Sequence, residues 1–116
     1  MNHRDIHKYN MEWVRIFLSQ SELQKHLGEN TPRLLLVHGK KVCLVYQDSR
    51  LCAVEDTCPH NGESLSKGVV NFQGEIVCPW HGQRFNLKTG RECNQFSRDL
   101  IIYPVKETEE GIFIGL

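Results

Sequence analysis

At 116 residues, with 40% hydrophobic and 24% charged side chains, the chain has the make-up of one globular domain and leaves no room for a second catalytic module. Lys plus Arg and Asp plus Glu both total 14, so the formal net charge is zero and no basic run offers a footprint for nucleic acid or an anionic membrane. The N-terminus lacks the apolar core of a signal peptide, no apolar run approaches transmembrane length, and five irregularly spaced cysteines argue against a secreted disulfide framework.

The composition therefore points to the cytoplasm and to cysteines used for metal chemistry. Residues 1–11 are polar, with His3 and His7, and read as a loosely held tail ahead of a domain at 12–116. From Glu12 to Leu18 the side chains alternate as in a strand, with Trp13 expected in the core. Ser21 to Gly28 predicts one short helix, with Ser21 at the N-cap, Glu22 in the first turn and Gly28 past the end.

Three β-rich runs follow Pro32: Leu34–His38, Val42–Tyr46 and Leu51–Glu55. The breaks at Gly39-Lys40 and Asp48-Ser49 are hairpin signals, so an antiparallel meander is expected. A turn at Asp48-Ser49 sets Gln47 against Arg50, Val45 against Cys52 and Cys43 against Val54. Cys43 and Cys52 are then not opposite one another, and both are expected as small buried residues rather than a disulfide. Val69–Phe72 and Glu75–Val77 predict a hairpin closed around Gln73-Gly74. Arg84–Leu87, Leu100–Val105 and Ile112–Ile114 supply the remaining strands, the last two separated by the acidic turn 107-ETEEG-111. Short, frequent strands with a single small helix indicate an all-β sandwich or barrel-like domain.

Two stretches stand out, 57-TCPHNGESL-65 and 77-VCPWHGQRF-85. Each carries Cys-Pro, a His and a Gly, but the second has one residue more between its Cys and its His. Cys58, His60, Cys78 and His81 are the candidate ligands, and the predicted hairpin between the two arms returns the chain so that they face each other. Four N/S donors on two loops suit either one tetrahedral zinc or a diiron–disulfide cluster with both cysteines on one iron and both histidines on the other. A zinc finger of this ligand set groups Cys with Cys and His with His. Here each arm supplies one of each, which favours the cluster. Gly62 and Gly82 allow main-chain N–H groups close to cluster sulfurs, and Pro59 and Pro79 stiffen the arms.

The paired motifs C-P-H-N-G-E-S-L and C-P-W-H-G-Q-R-F resemble those of the Rieske [2Fe–2S] proteins. The resemblance runs from about Trp13 to the C-terminus and includes Asn86-Leu87-Lys88-Thr89-Gly90 after the second arm. It implies an antiparallel sandwich of small sheets, with a cluster-binding subdomain (about residues 56–90) at the tip, exposed imidazole edges there, and electron transfer. The cytochrome bc-complex branch has an extra Cys in each arm. Here Asn61-Gly62-Glu63 and Pro79-Trp80 stand at those places. That branch also places Ser and Tyr hydroxyls after the second His-Gly, where this chain has Gln83 and Phe85. Fewer donors to the cluster predict a potential of roughly −150 mV rather than +300 mV. Ferric iron eases loss of the second imidazole proton, so the potential is also expected to fall at alkaline pH.

Nothing after Gly90 supplies the two His and one carboxylate of an oxygenase iron site. The implied function is that of a free-standing ferredoxin, not an enzyme, holding one [2Fe–2S] cluster per chain. It would pass electrons from a reductase to an oxygenase through weak, brief contacts at the cluster tip. The small subunit of a nitrite-reductase-like enzyme is the near alternative. A structural zinc-binding interaction domain and a redox or iron-status sensor are the rivals from other classes. His3, His7, His26 and His38 are expected at the surface or in turns, Cys93 packed or idle, and Trp80 as a lid over the cluster.

Overall fold

The computed structural model describes residues 11–116, so His3, His7 and nearly all of the polar tail expected at 1–11 lie outside the described residues. Three antiparallel sheets follow from the alternating runs. The first joins β1 (Trp13–Phe17), β10 (Gly111–Gly115) and β9 (Val105–Thr108), in that order. The second runs β2 (Arg33–Val37), β3 (Lys40–Gln47), β4 (Arg50–Glu55) and β8 (Ile102–Tyr103). The third is small, with β5 (Val69–Val70), β6 (Glu75–Val77) and β7 (Arg84–Asn86). One helix, α1 (Gln20–His26), follows β1.

The second sheet is apolar on both faces, and this determines where the two arms sit. Side chains alternate across a strand, so Val42, Leu44, Leu51 and Ala53 join Phe17, Leu23 and Ile114 in one core. Cys43, Val45 and Val54 face the other way, into a second core with Cys58, Leu65, Ile76, Cys78 and Phe85. The arms are therefore packed against the back of a finished sheet, which supplies a rigid floor beneath them.

The β3–β4 register is the expected one, with Gln47 opposite Arg50, Val45 opposite Cys52 and Cys43 opposite Val54. Asp48 and Ser49 both have positive φ, 53° and 59°, the twist that a two-residue hairpin loop requires. All five cysteines are free thiols; Cys43 is buried, Cys52 half-buried and Cys93 exposed. Several boundaries differ from the sequence reading. The helix is capped by Ser19, not Ser21: its Oγ accepts from the Glu22 N–H at 3.1 Å, and Glu22 Oε1 accepts from the Leu18 N–H at 3.0 Å. Ser-x-x-Glu is a capping box, so it outcompetes the later serine.

The first hairpin turns at His38-Gly39, one residue earlier than expected, because both adopt positive φ. Phe72 is not a strand residue; it stands 97% exposed in the turn between β5 and β6. The single strand expected over Leu100–Val105 is two, β8 in the second sheet and β9 in the first. Pro104 stands between them, and lacking an N–H it cannot continue a ladder. Trp13 is 40% exposed rather than core; Lys106 Nζ sits 4.4 Å from its ring centroid, a cation–π contact at the sheet surface.

Candidate metal centre

The two arms prove to be loops of equal length. Each is closed at its neck by the same main-chain bond: the Cys58 N–H donates to the Glu63 carbonyl and the Cys78 N–H to the Gln83 carbonyl, both at 2.8 Å. Thr57 bridges Ser64 below the first loop, while Val77 pairs with Arg84 below the second. The extra residue between Cys78 and His81 thus does not lengthen the loop. It moves the histidine one place along it, with Trp80 before it, whereas Asn61 follows His60 in the first loop. Gly62 and Gly82 occupy matching places with φ of 81° and 71°, and His81 itself has φ 67°. A left-handed histidine costs about 1–2 kcal/mol, so the surrounding loop holds it there.

The four candidate ligands are sorted by depth. Cys58 and Cys78 are each only 1% exposed, while His60 and His81 are both exposed. Burial pushes the Cys58 thiol up, against the pull of the His60 and Asn61 main-chain N–H groups on its sulfur; the neighbouring Cys78 thiol adds a further upward push. Both cysteines lie in one buried cluster, where a bound metal's positive charge would favour the thiolates. Trp80 is 56% exposed and meets the His81 ring edge-on at 5.6 Å, so it flanks that imidazole instead of sealing the site as a lid.

Residues not singled out in the sequence fix the loops in place. Asp56 is 1% exposed; its carboxylate accepts from the Ser64 hydroxyl and from the Ser66 N–H at 2.8 Å, and its carbonyl accepts from the Leu65 N–H at 2.7 Å. It pins the two ends of the first loop together. Gly68 lies against the strand that leads into the second loop, where an added Cβ would fall 1.9 Å from the Val77 carbonyl oxygen. Buried Glu92 accepts from the main-chain N–H groups of Asn94, Gln95 and Phe96, which shapes the segment after β7. Asn61 spans the gap between the loops and donates to the Trp80 carbonyl at 3.2 Å. An acidic or amide side chain near a loop carries no pattern of its own, so only the fold reveals these partners. His26 stacks on Phe17 at 6.2 Å and His38 meets Glu12 at 3.0 Å, both away from the arms.

Among the described residues no three His, Cys, Asp or Glu side chains converge closely enough to share one metal ion. A diiron cluster of this kind takes two protein ligands on each iron, and each arm supplies one Cys and one His. Two buried thiols and two outer imidazoles fit a histidine-ligated diiron cluster. The model of the Rieske [2Fe-2S] domain family matches residues 13–103. The chain belongs to this family.

Its cofactor is the [2Fe-2S] cluster of the Rieske family. The ferredoxin component of the naphthalene 1,2-dioxygenase/salicylate 5-hydroxylase systems of Ralstonia sp is 34% identical over 71 residues, 60% of this chain and 67% of that one. Apoptosis-inducing factor 3 of Mus musculus is 46% identical over 50 residues, 43% of this chain; the match spans only 8% of that protein's length. Among solved structures, the ferredoxin of carbazole 1,9a-dioxygenase from Nocardioides aromaticivorans IC177 is similar, with a TM-score of 0.74 and 26% identity, covering 88% of this chain and 95% of that one. The antiparallel β architecture of this Rieske chain is that of a Rieske ferredoxin. No helix among the described residues is long and apolar enough to cross a membrane.

Proposed function

We propose that this chain is a cytoplasmic one-electron carrier, with Cys58 and Cys78 as ligands of the inner iron and His60 and His81 as ligands of the outer one. The sorting by depth carries the reading: two buried cysteines in one core cluster, with two exposed imidazoles on loops of equal length. When bound, the cluster takes up one electron and returns it. The chain's residues do the rest. Exposed His60 and His81 form the contact edge for a partner, and the main-chain N–H groups of His60 and Asn61 stabilise charge on the Cys58 sulfur. Leu65, Ile76 and Phe85, all fully buried, keep water from the inner side.

The functional unit is residues 12–116, with a cluster-binding part at about 56–90 resting on the second sheet. The donor is a reductase and the acceptor an oxygenase, a reading supported by relatives that include ferredoxin components of dioxygenase systems. Docking is weak and brief, as small redox interfaces are. Phe85 is fully buried and has no hydroxyl to offer. The midpoint potential is accordingly expected near the low end of the family, roughly −150 mV; a voltammetric value well above zero overturns that expectation.

Anaerobic purification, assay of iron, sulfide and zinc, and low-temperature EPR after reduction test the whole reading. About two irons and two sulfides per chain, with the rhombic signal of a histidine-ligated cluster, are expected. One zinc without sulfide and a silent spectrum would return the four ligands to a structural role. Reduction by a flavin reductase and re-oxidation by an oxygenase would place the carrier, whereas stable co-purification with a nitrite-reductase-like large subunit would favour that alternative.

A further inference from the structure

Asn61 is held in a fixed orientation between the two loops. Its Oδ1 accepts from the Glu63 N–H at 2.9 Å, which determines which end of the amide is oxygen. The Nδ2 group then points across the gap. It lies 3.2 Å from the Trp80 carbonyl, 3.6 Å from Cys78 Sγ and 3.5 Å from Gln83 Oε1. An amide nitrogen has two hydrogens. One satisfies the Trp80 carbonyl, and the other is shared between the Cys78 sulfur and the Gln83 side chain. Cys78 Sγ also lies 3.7 Å from Asn61 Oδ1, but a metal-bound thiolate carries no proton to donate. Only the Nδ2–H to sulfur direction survives metal binding.

The geometry points to Asn61 as a positioning residue that ties the loops together and tunes the cluster through the Cys78 sulfur. This rests on the ligand assignment proposed above. Cys58 receives main-chain N–H groups at its sulfur; Asn61 gives Cys78 a side-chain counterpart from the opposite loop. Reduction adds negative charge to the cluster and its sulfurs, so a donor at Cys78 stabilises the reduced state more than the oxidised one. The place after His60 holds Asn61 where the second loop has His81, and the histidine offset leaves it free for a residue that reaches across.

The test uses the full chain with its cluster, in Asn61→Leu and Asn61→Ser. Leucine keeps the size but removes both donor and acceptor; serine can still accept from the Glu63 N–H yet is too short to reach Cys78. In both, the oxidised form should be favoured by roughly tenfold at a given potential, a midpoint lower by about 59 mV for one electron. Iron release to a chelator should be several-fold faster, because the loops lose their tie. An unchanged midpoint in either cluster-loaded variant overturns the proposal, even if the melting temperature falls. Loss of iron from both variants would make Asn61 an assembly requirement, and its tuning role would be withdrawn. Absence of iron and sulfide from the unsubstituted chain would instead defeat the ligand assignment itself.

Discussion

A methyl group added at Gly62 and one added at Gly68 would cost stability for different reasons. Gly62 has φ 81° with open space around the missing Cβ, so Gly62→Ala meets only backbone strain of about 1–2 kcal/mol. Gly68 has an ordinary φ, yet its Cβ would lie 1.9 Å from the Val77 carbonyl oxygen, a rigid backbone atom. Gly68→Ala should therefore cost about 1–3 kcal/mol or more and should also lower the iron content, because the displaced strand carries the second loop. Urea melts and iron per chain check the pair; full iron loading in Gly68→Ala would show that the contact yields. At Cys43, burial and then the Asp56 carboxylate push the thiol up to about 12. The folded state keeps this proton after the unfolded state has lost it, so the contribution is full below the ordinary thiol pKa and is lost as pH rises toward 12. Raising the pH from neutral to about 10 should destabilise the unsubstituted protein more than Cys43→Ala in paired denaturation curves. Equal losses would mean that the thiol is not held neutral by the fold.

Elements are positioned by local signals of unequal strength. The capping box at Ser19-Gln20-Ser21-Glu22 fixes the start of α1, so Ser19→Ala should cost about 1 kcal/mol. Ser21→Ala should cost only a few tenths, and a thermal melt of the two variants separates them. The β3–β4 register was legible because Asp48-Ser49 is a strong turn signal between two apolar runs. The break of 100–105 into β8 and β9 was not, although Pro104 marks the place. A proline signals that a strand ends without saying which sheet takes up the next one. Asp56, Asn61 and Gly68 were likewise illegible as supports, since each acts through a partner eight or more residues away.

For the whole molecule, the second sheet divides the interior into two cores of different character. The first core closes with Phe17, Leu23, Leu44 and Ile114 and needs nothing from the arms. The second includes Cys58 and Cys78 themselves. Removing iron with a chelator should therefore raise amide exchange over residues 56–68 and 76–93, while the sheet of β1, β10 and β9 stays protected. Hydrogen exchange followed by mass spectrometry checks this. A uniform rise would show one cooperative unit with the cluster as its keystone.

The sequence by itself determined the candidate donors: two Cys-Pro arms with a histidine and a glycine each are local information, carried by residue types at short spacing. It also determined the β class, because period-two alternation and turn residues act over a few positions. Tertiary structure alone decided that the arms are equal loops with the histidine offset, that sulfurs lie inside and imidazoles outside, and that Asn61 bridges the gap. Those features depend on which surfaces meet across the fold, and burial and cross-loop hydrogen bonds are set by packing between residues far apart in the chain.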